Sequence, residues 1–115
     1  MENAEIMSLI LDAYPYPIVF VDCDHIIRYM NKRARYHYYD ERGYRDLIGK
    51  SLFDCHMEPR SVEMIKAAVE KLKNHGNEIF LKVNQRNERT IITPVRDENG
   101  VLVGYFERFE QNLQK

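Results

Sequence analysis

The chain has 115 residues, enough for one domain with a sizeable core and too few for two. Apolar residues make up 44% of it, with four prolines and five glycines, which argues against a disordered chain. Seventeen basic and 18 acidic side chains leave a net charge of −1, so the balance of charge gives no reason to expect nucleic acid, an acidic partner or a membrane surface.

No apolar run is long enough to span a bilayer, and Glu2, Glu5, Asp12 and Pro15 interrupt the pattern of a secretory leader. A cytoplasmic location is the expectation. Cys23 and Cys55 are the two cysteines, without the C-x-x-C spacing of a zinc ribbon or a covalently attached haem. Free thiols in a reducing compartment are expected, with a disulfide between them left open.

The first predicted element is a helix over residues 3–13, which carries Ile6, Leu9, Ile10 and Ala13 on one face, has Asn3 placed to cap it, and ends before Pro15 and Pro17. Ile18–Val21 and Ile26–Met30 are short apolar strands on either side of Asp22-Cys23-Asp24-His25, and together they predict an antiparallel hairpin. From Asn31 the alternation stops. A short helix is expected there, then a polar loop through residues 40–46, then an anchoring turn over Leu47–Asp54 broken by Gly49.

The strongest helical pattern is Ser61–His75, where Val62, Ile65, Val69 and Leu72 recur at spacings of three and four, Pro59 suits the start and Gly76 the end. Glu78–Asn84 alternates as a half-buried strand. Arg89–Arg96 and Val101–Phe109 flank Asp97-Glu98-Asn99-Gly100, whose Asn-Gly pair is the strongest short hairpin signal because both residues tolerate positive φ. Pro94 cannot donate to a ladder, so a bulge or an end of regular pairing is expected there. The last strand has apolar residues on both faces at its start and is expected in the middle of a sheet. The order predicts an α+β domain with helices packed over one face of an antiparallel sheet and a ligand cavity between the two layers.

Four stretches in this order resemble the PAS domain family: Pro17–Asp22; Ile26–Ala34, with its Asn31-Lys32-Arg33-Ala34 start of a helical segment; Leu47–Phe53; and Thr93–Tyr105, similar to the family's final hairpin. The resemblance covers nearly the whole chain. It implies a five-stranded antiparallel sheet in the order 2-1-5-4-3. It also implies a bacterial signal-sensing module over residues 15–112, preceded by an amphipathic helix at 1–14 that makes a homodimer through Ile6, Leu9 and Ile10. Such a module binds a small molecule between sheet and helices, relays occupancy to an output domain or signalling protein, and is not an enzyme. The other reading within the family is a PAS domain that serves association alone and binds no ligand. Glu107-Arg108-Phe109-Glu110 departs from the Asp-Ile-Thr that commonly follows the fifth strand.

The candidate pocket residues are Tyr29, Asn31, Tyr36, His37, Phe53, Cys55, His56, Thr93 and Tyr105. Tyrosine rings can stack on a planar ligand and offer a hydroxyl, or simply pack in the core and at its rim. Asn31 suits a ligand hydrogen bond or a helix cap, with the cap the simpler reading. Thr93 shares a strand face with Ile91 and Val95, from which its hydroxyl is expected to reach the cavity.

Cys55-His56 pairs a thiolate with an imidazole, both good iron ligands, so a haem or redox sensor held by His56 is a third reading; the simpler one has His56 hydrogen-bonded at the turn and Cys55 packed as a small apolar group. The stretch around Cys55 does not match the Asn-Cys-Arg-Phe type of the family's flavin-binding, light-sensing branch, so the cofactor stays unassigned, with haem and a flavin both left open. Basic residues among the aromatics of 25–45 can suggest RNA, but a solvated face or an acidic partner fits the near-neutral chain, which has no recognised RNA module, better. No Gly-rich phosphate loop, His-Glu-x-x-His or Gly-x-Ser-x-Gly occurs, so metal is expected only if haem is bound at His56.

Overall fold

The computed structural model describes residues 1–54 and 58–113. Helix α1 (Asn3–Ala13) leads into strands β1 (Val19–Asp22) and β2 (Ile27–Met30), then helix α2 (Lys32–Arg35), a π-helical turn (Tyr36–Glu41) and a 3-10 turn (Leu52–Asp54). Helix α3 (Pro59–Asn74) follows, and strands β3 (Ile79–Val83), β4 (Glu88–Arg96) and β5 (Leu102–Gln111) complete the order. All five strands form one sheet, β2-β1-β5-β4-β3, with antiparallel neighbours and β5 in the middle as the sequence predicts. Among the described residues no helix is long and apolar enough to cross a membrane.

Short polar side chains shape both hairpins. In the β1–β2 turn, Asp22 Oδ1 accepts from the N–H groups of Asp24 (2.9 Å) and Ile26 (3.0 Å), while His25 takes φ 63°. In the β4–β5 turn, Asp97 Oδ1 accepts from Asn99 N–H (2.8 Å) and Val101 N–H (3.0 Å). Of the predicted Asn-Gly pair only Gly100 has positive φ, so the aspartate rather than a mirror-image turn closes this hairpin. The β4–β5 pairing shifts between Val95 and Arg96, one step beyond Pro94, which itself pairs with Tyr105. Past that bulge, Arg96 Nη2 donates to the carbonyls of Leu72 (2.6 Å) and Gly76 (3.1 Å), which ties β4 to the end of α3.

The helices cover one face of the sheet. Ile65, Ala68, Val69 and Leu72 of α3 and Ala34 of α2 pack with Val21, Ile27, Met30, Ile92, Leu102 and Tyr105. Because side chains alternate along a strand, the cross-strand row Tyr29–Phe20–Phe106–Thr93 belongs to the opposite, outer face. That face also carries buried Ile91 and an ion-pair ladder: Arg89–Glu110 (2.8 Å), Arg108–Glu110 (2.9 Å) and Arg108–Glu78 (2.8 Å).

The N-terminal third is gathered by Asn31, which has no exposed surface. Its Oδ1 accepts from Ile18 N–H and Ala34 N–H, both at 2.9 Å, and its Nδ2 donates to the carbonyls of Leu11 (2.9 Å) and Tyr16 (3.1 Å). Helix α1 therefore docks by its last turn, aided by Asp12 Oδ1, which accepts from Lys32 N–H at 2.8 Å. At its other end Glu2, not the expected Asn3, occupies the capping position, without a side-chain cap bond.

Asn31→Ala removes four hydrogen bonds and leaves buried partners unmatched, so a loss of about 3 kcal/mol or more is expected. Urea denaturation with an unchanged slope and a lower midpoint checks it. A loss below about 1 kcal/mol would show that water replaces the amide.

Candidate functional site

Between the inner face of the sheet and the start of α3 lies a cavity of about 230 Å³. The register explains its lining. Thr90 pairs with Phe109 and Ile92 with Glu107, so Thr90, Glu107 and Phe109 share the face that carries Ile92 and Tyr105. Across from them stand Ser61, Met64 and Ile65 of α3, with Leu81, Lys82 and Asn84 at the β3 side and Arg42 above. Arg42, Ser61, Lys82, Asn84 and Phe109 also line a wider groove of about 920 Å³, into which the cavity continues.

Two polar groups point into this space without protein partners. Thr90 is 3% exposed, and its Oγ1 makes no hydrogen bond. Glu107 sits on a strand between Tyr105 and Phe109, and among the described residues its carboxyl makes no hydrogen bond or ion pair. Burial pushes its pKa up, and Lys82 nearby pulls it partly back. At the rim the Arg42 guanidinium lies 5.7 Å from the ring centre of Tyr38 and 5.1 Å from that of Tyr44, held by cation–π attraction and by donation to Tyr44 Oη at 3.4 Å.

The residues proposed from sequence divide among several places. Tyr36 and His37 line the outer groove, where His37 Nδ1 is 3.2 Å from Glu41 Oε1. Tyr105 is fully buried, and its Oη meets His25 Nδ1 at 2.7 Å. Phe53 packs on the same imidazole, with ring centres 4.8 Å apart. Desolvation, aided by Lys66 and Lys73, lowers the pKa of His25, and burial raises that of Tyr105. Beside Tyr105 and Glu107 there is only a void of about 20 Å³, room for roughly one water.

Asn31 has all four of its hydrogen-bonding positions engaged by the protein, which leaves none for a ligand. Tyr29 and Thr93 require correction. Both lie on the outer face, with Tyr29 Oη and Thr93 Oγ1 buried there rather than aimed at the cavity. Apolar Ile91 and Ile92 are both buried on β4, so the strand's sequence does not reveal which face is which. Cys55 and His56 lie outside the described residues. Cys23 is a free thiol whose Sγ donates to Leu102 C=O at 3.4 Å. Among the described residues no cluster of three or more His, Cys, Asp and Glu side chains is arranged to hold a metal. Sequence reading missed Thr90, Glu107, Arg42 and Lys82. The signal for Glu107 was available in the period-two run Tyr105, Glu107, Phe109.

The raised pKa of Glu107 makes the folded chain hold its proton more tightly than the unfolded chain does. Its contribution to stability is therefore complete below the ordinary carboxylate value near 4.5 and is lost as pH rises from there through the raised value. Glu107→Gln removes this loss, so the variant should be more stable than the native chain at neutral pH, with the difference vanishing below the ordinary carboxylate range. Parallel denaturation series over pH check it, and a constant difference would place the carboxyl in water.

A family model described as PAS domain matches residues 7–111. Among solved structures, a C-terminal domain from Streptococcus mutans superposes with a TM-score of 0.74 at 22% identity, covering 96% of this chain and 89% of that one. A sensory box sensor histidine kinase from Vibrio cholerae gives 0.62 at 16% identity over 94% and 90% of the two chains. The PAS domain of BvgS from Bordetella pertussis gives 0.60 at 17% identity over 97% and 88%. At such identities these structures share the fold alone. A comparison with curated proteins found no match. With the family model spanning residues 7–111 and the strand order 2-1-5-4-3, the chain belongs to the PAS domain family.

Proposed function

We propose that this PAS domain is a bacterial, cytoplasmic signal-sensing module that binds a small molecule in the cavity between β4–β5 and α3, without catalysing a reaction on it. The observation that carries the reading is the pair of unpartnered polar groups, Thr90 Oγ1 and the Glu107 carboxyl, facing a cavity that continues into an open groove. The Thr90 hydroxyl is buried, where polar groups are normally hydrogen-bonded, and the half-buried Glu107 adds a carboxyl without a protein partner; a bound molecule would supply what the protein leaves out here. The sensor histidine kinase among the structural neighbours supports a sensory role.

Relay of occupancy runs in this reading through a homodimer made by α1. Ile6, Leu9 and Ile10 are 41%, 56% and 64% exposed, an apolar surface on a helix whose last turn is tied to Asn31. Packing two such helices together removes this surface from water. An output domain or separate signalling protein would receive the change. The same exposed face supports the association-only reading, and ligand binding separates the two.

A thermal-shift screen of the purified chain against metabolites is expected to yield at least one that raises the midpoint, equivalent to about 2.7 kcal/mol at a hundredfold excess over Kd. Ser61→Phe, at the shared rim, should remove that shift. Leu9→Glu should turn the dimer into a monomer in sedimentation equilibrium. A screen without hits on a dimeric chain would leave association alone.

A further inference from the structure

Resting on the sensing reading, we infer that the cavity takes a small organic anion, with its carboxylate at the rim on Arg42 and Lys82 and an uncharged hydroxyl or carbonyl at its other end on Thr90 Oγ1 and the Glu107 carboxyl. Arg42 and Lys82 both line the cavity, and among the described residues neither has a carboxylate partner. The groove outside repeats the sign with Arg33 and Arg86, also without carboxylate partners. Of the groove's acids, Glu41 is engaged by His37 and Glu88 by Asn84 Nδ2 at 3.0 Å, which leaves Glu58 uncommitted there among the described residues, while inside the cavity the Glu107 carboxyl already feels the charge of Lys82. Converging cations at the mouth of a low-dielectric space favour an anion and repel an ammonium group.

Met64, Leu81 and Phe109 give the middle of the cavity an apolar lining, while Thr90 Oγ1 has no partner. A second carboxylate at that depth would meet Glu107, so the inner end of the ligand carries a neutral donor or acceptor. A hydroxyl satisfies both neighbours, because it can donate its one proton to the Glu107 carboxyl while its oxygen accepts from the Thr90 hydroxyl. The volume of about 230 Å³ lies just below the roughly 300–1,000 Å³ usual for ligand sites, which restricts the inner part to a compact acid.

The test uses the whole chain and three matched series that differ in one end: para-hydroxybenzoate, para-hydroxyphenylacetate and para-hydroxyphenylpropionate; their primary amides; and the amines para-hydroxybenzylamine and tyramine. At least one carboxylate should raise the melting midpoint and titrate calorimetrically, with its amide and amine counterparts about tenfold or more weaker, as expected when a charge-assisted hydrogen bond is lost. Arg42→Gln and Lys82→Gln, both at exposed positions, should each weaken the carboxylate about tenfold and leave the amide unchanged. Thr90→Val, which keeps the shape, should weaken acid and amide alike.

Amines that bind as well as the acids would overturn the inference, as would acid binding indifferent to both cations, or an acid series that leaves the midpoint unmoved. Failure here and failure of the sensing reading are distinguishable. If amides, amines or other metabolites bind while the acids do not, the cavity remains a ligand site of another class. A metabolite screen without hits removes both.

Discussion

The amide of Asn31 is the constraint on which the N-terminal half depends. The chain reverses direction repeatedly between Leu11 and Ala34, and each reversal leaves backbone groups without a ladder or helix partner. One side chain with two donors and two accepting lone pairs meets four of them at once, joining α1, the run into β1 and the first turn of α2. No apolar residue can do this, and an aspartate lacks the donors. Since β1 lies beside the central strand, an error at Asn31 would spread through β1 to the middle of the sheet.

Much of this architecture is legible in the sequence because it rests on repetition. The spacing of Ile65, Val69 and Leu72 marks the buried side of α3, and the aspartates with Gly100 mark the hairpins. Sidedness of the sheet is less legible. Ile91 and Ile92 are adjacent and both buried, one under the outer ladder and one in the core, so hydrophobicity does not say which of Thr90 and Thr93 faces the helices. Only the pairing of whole strands decides that, and it selects Thr90. Glu107 was hidden for a related reason. A carboxylate in a strand normally signals the solvent face, and the rule inverts where the inner face borders a cavity.

The aromatic residues of the middle segment show a different limit. Composition marks Tyr36, His37, Tyr38, Tyr39 and Tyr44 as a group, yet the structure gives them separate tasks. Tyr38 and Tyr44 hold the Arg42 guanidinium, Tyr39 Oη accepts from Leu47 N–H at 3.3 Å, and Tyr36 and His37 line the groove. Cation–π geometry and the π-helical turn that spaces these rings depend on tertiary packing, which a short polar sequence does not encode by period. The most chemically committed residue of the rim was therefore one of several arginines in the sequence and a positioned group only in the fold.

The contact between Arg96 and the end of α3 has a mechanical consequence. The helix is about 24 Å long at 16 residues, and its far end is clamped to β4 through the carbonyls of Leu72 and Gly76. Its near end forms the cavity wall, and Glu58 provides no side-chain cap there. Between the clamp and the cavity wall, Ile65, Ala68, Val69 and Leu72 keep α3 packed on the sheet, so the uncapped first turn carrying Ser61 is the part of the helix that the fold holds least.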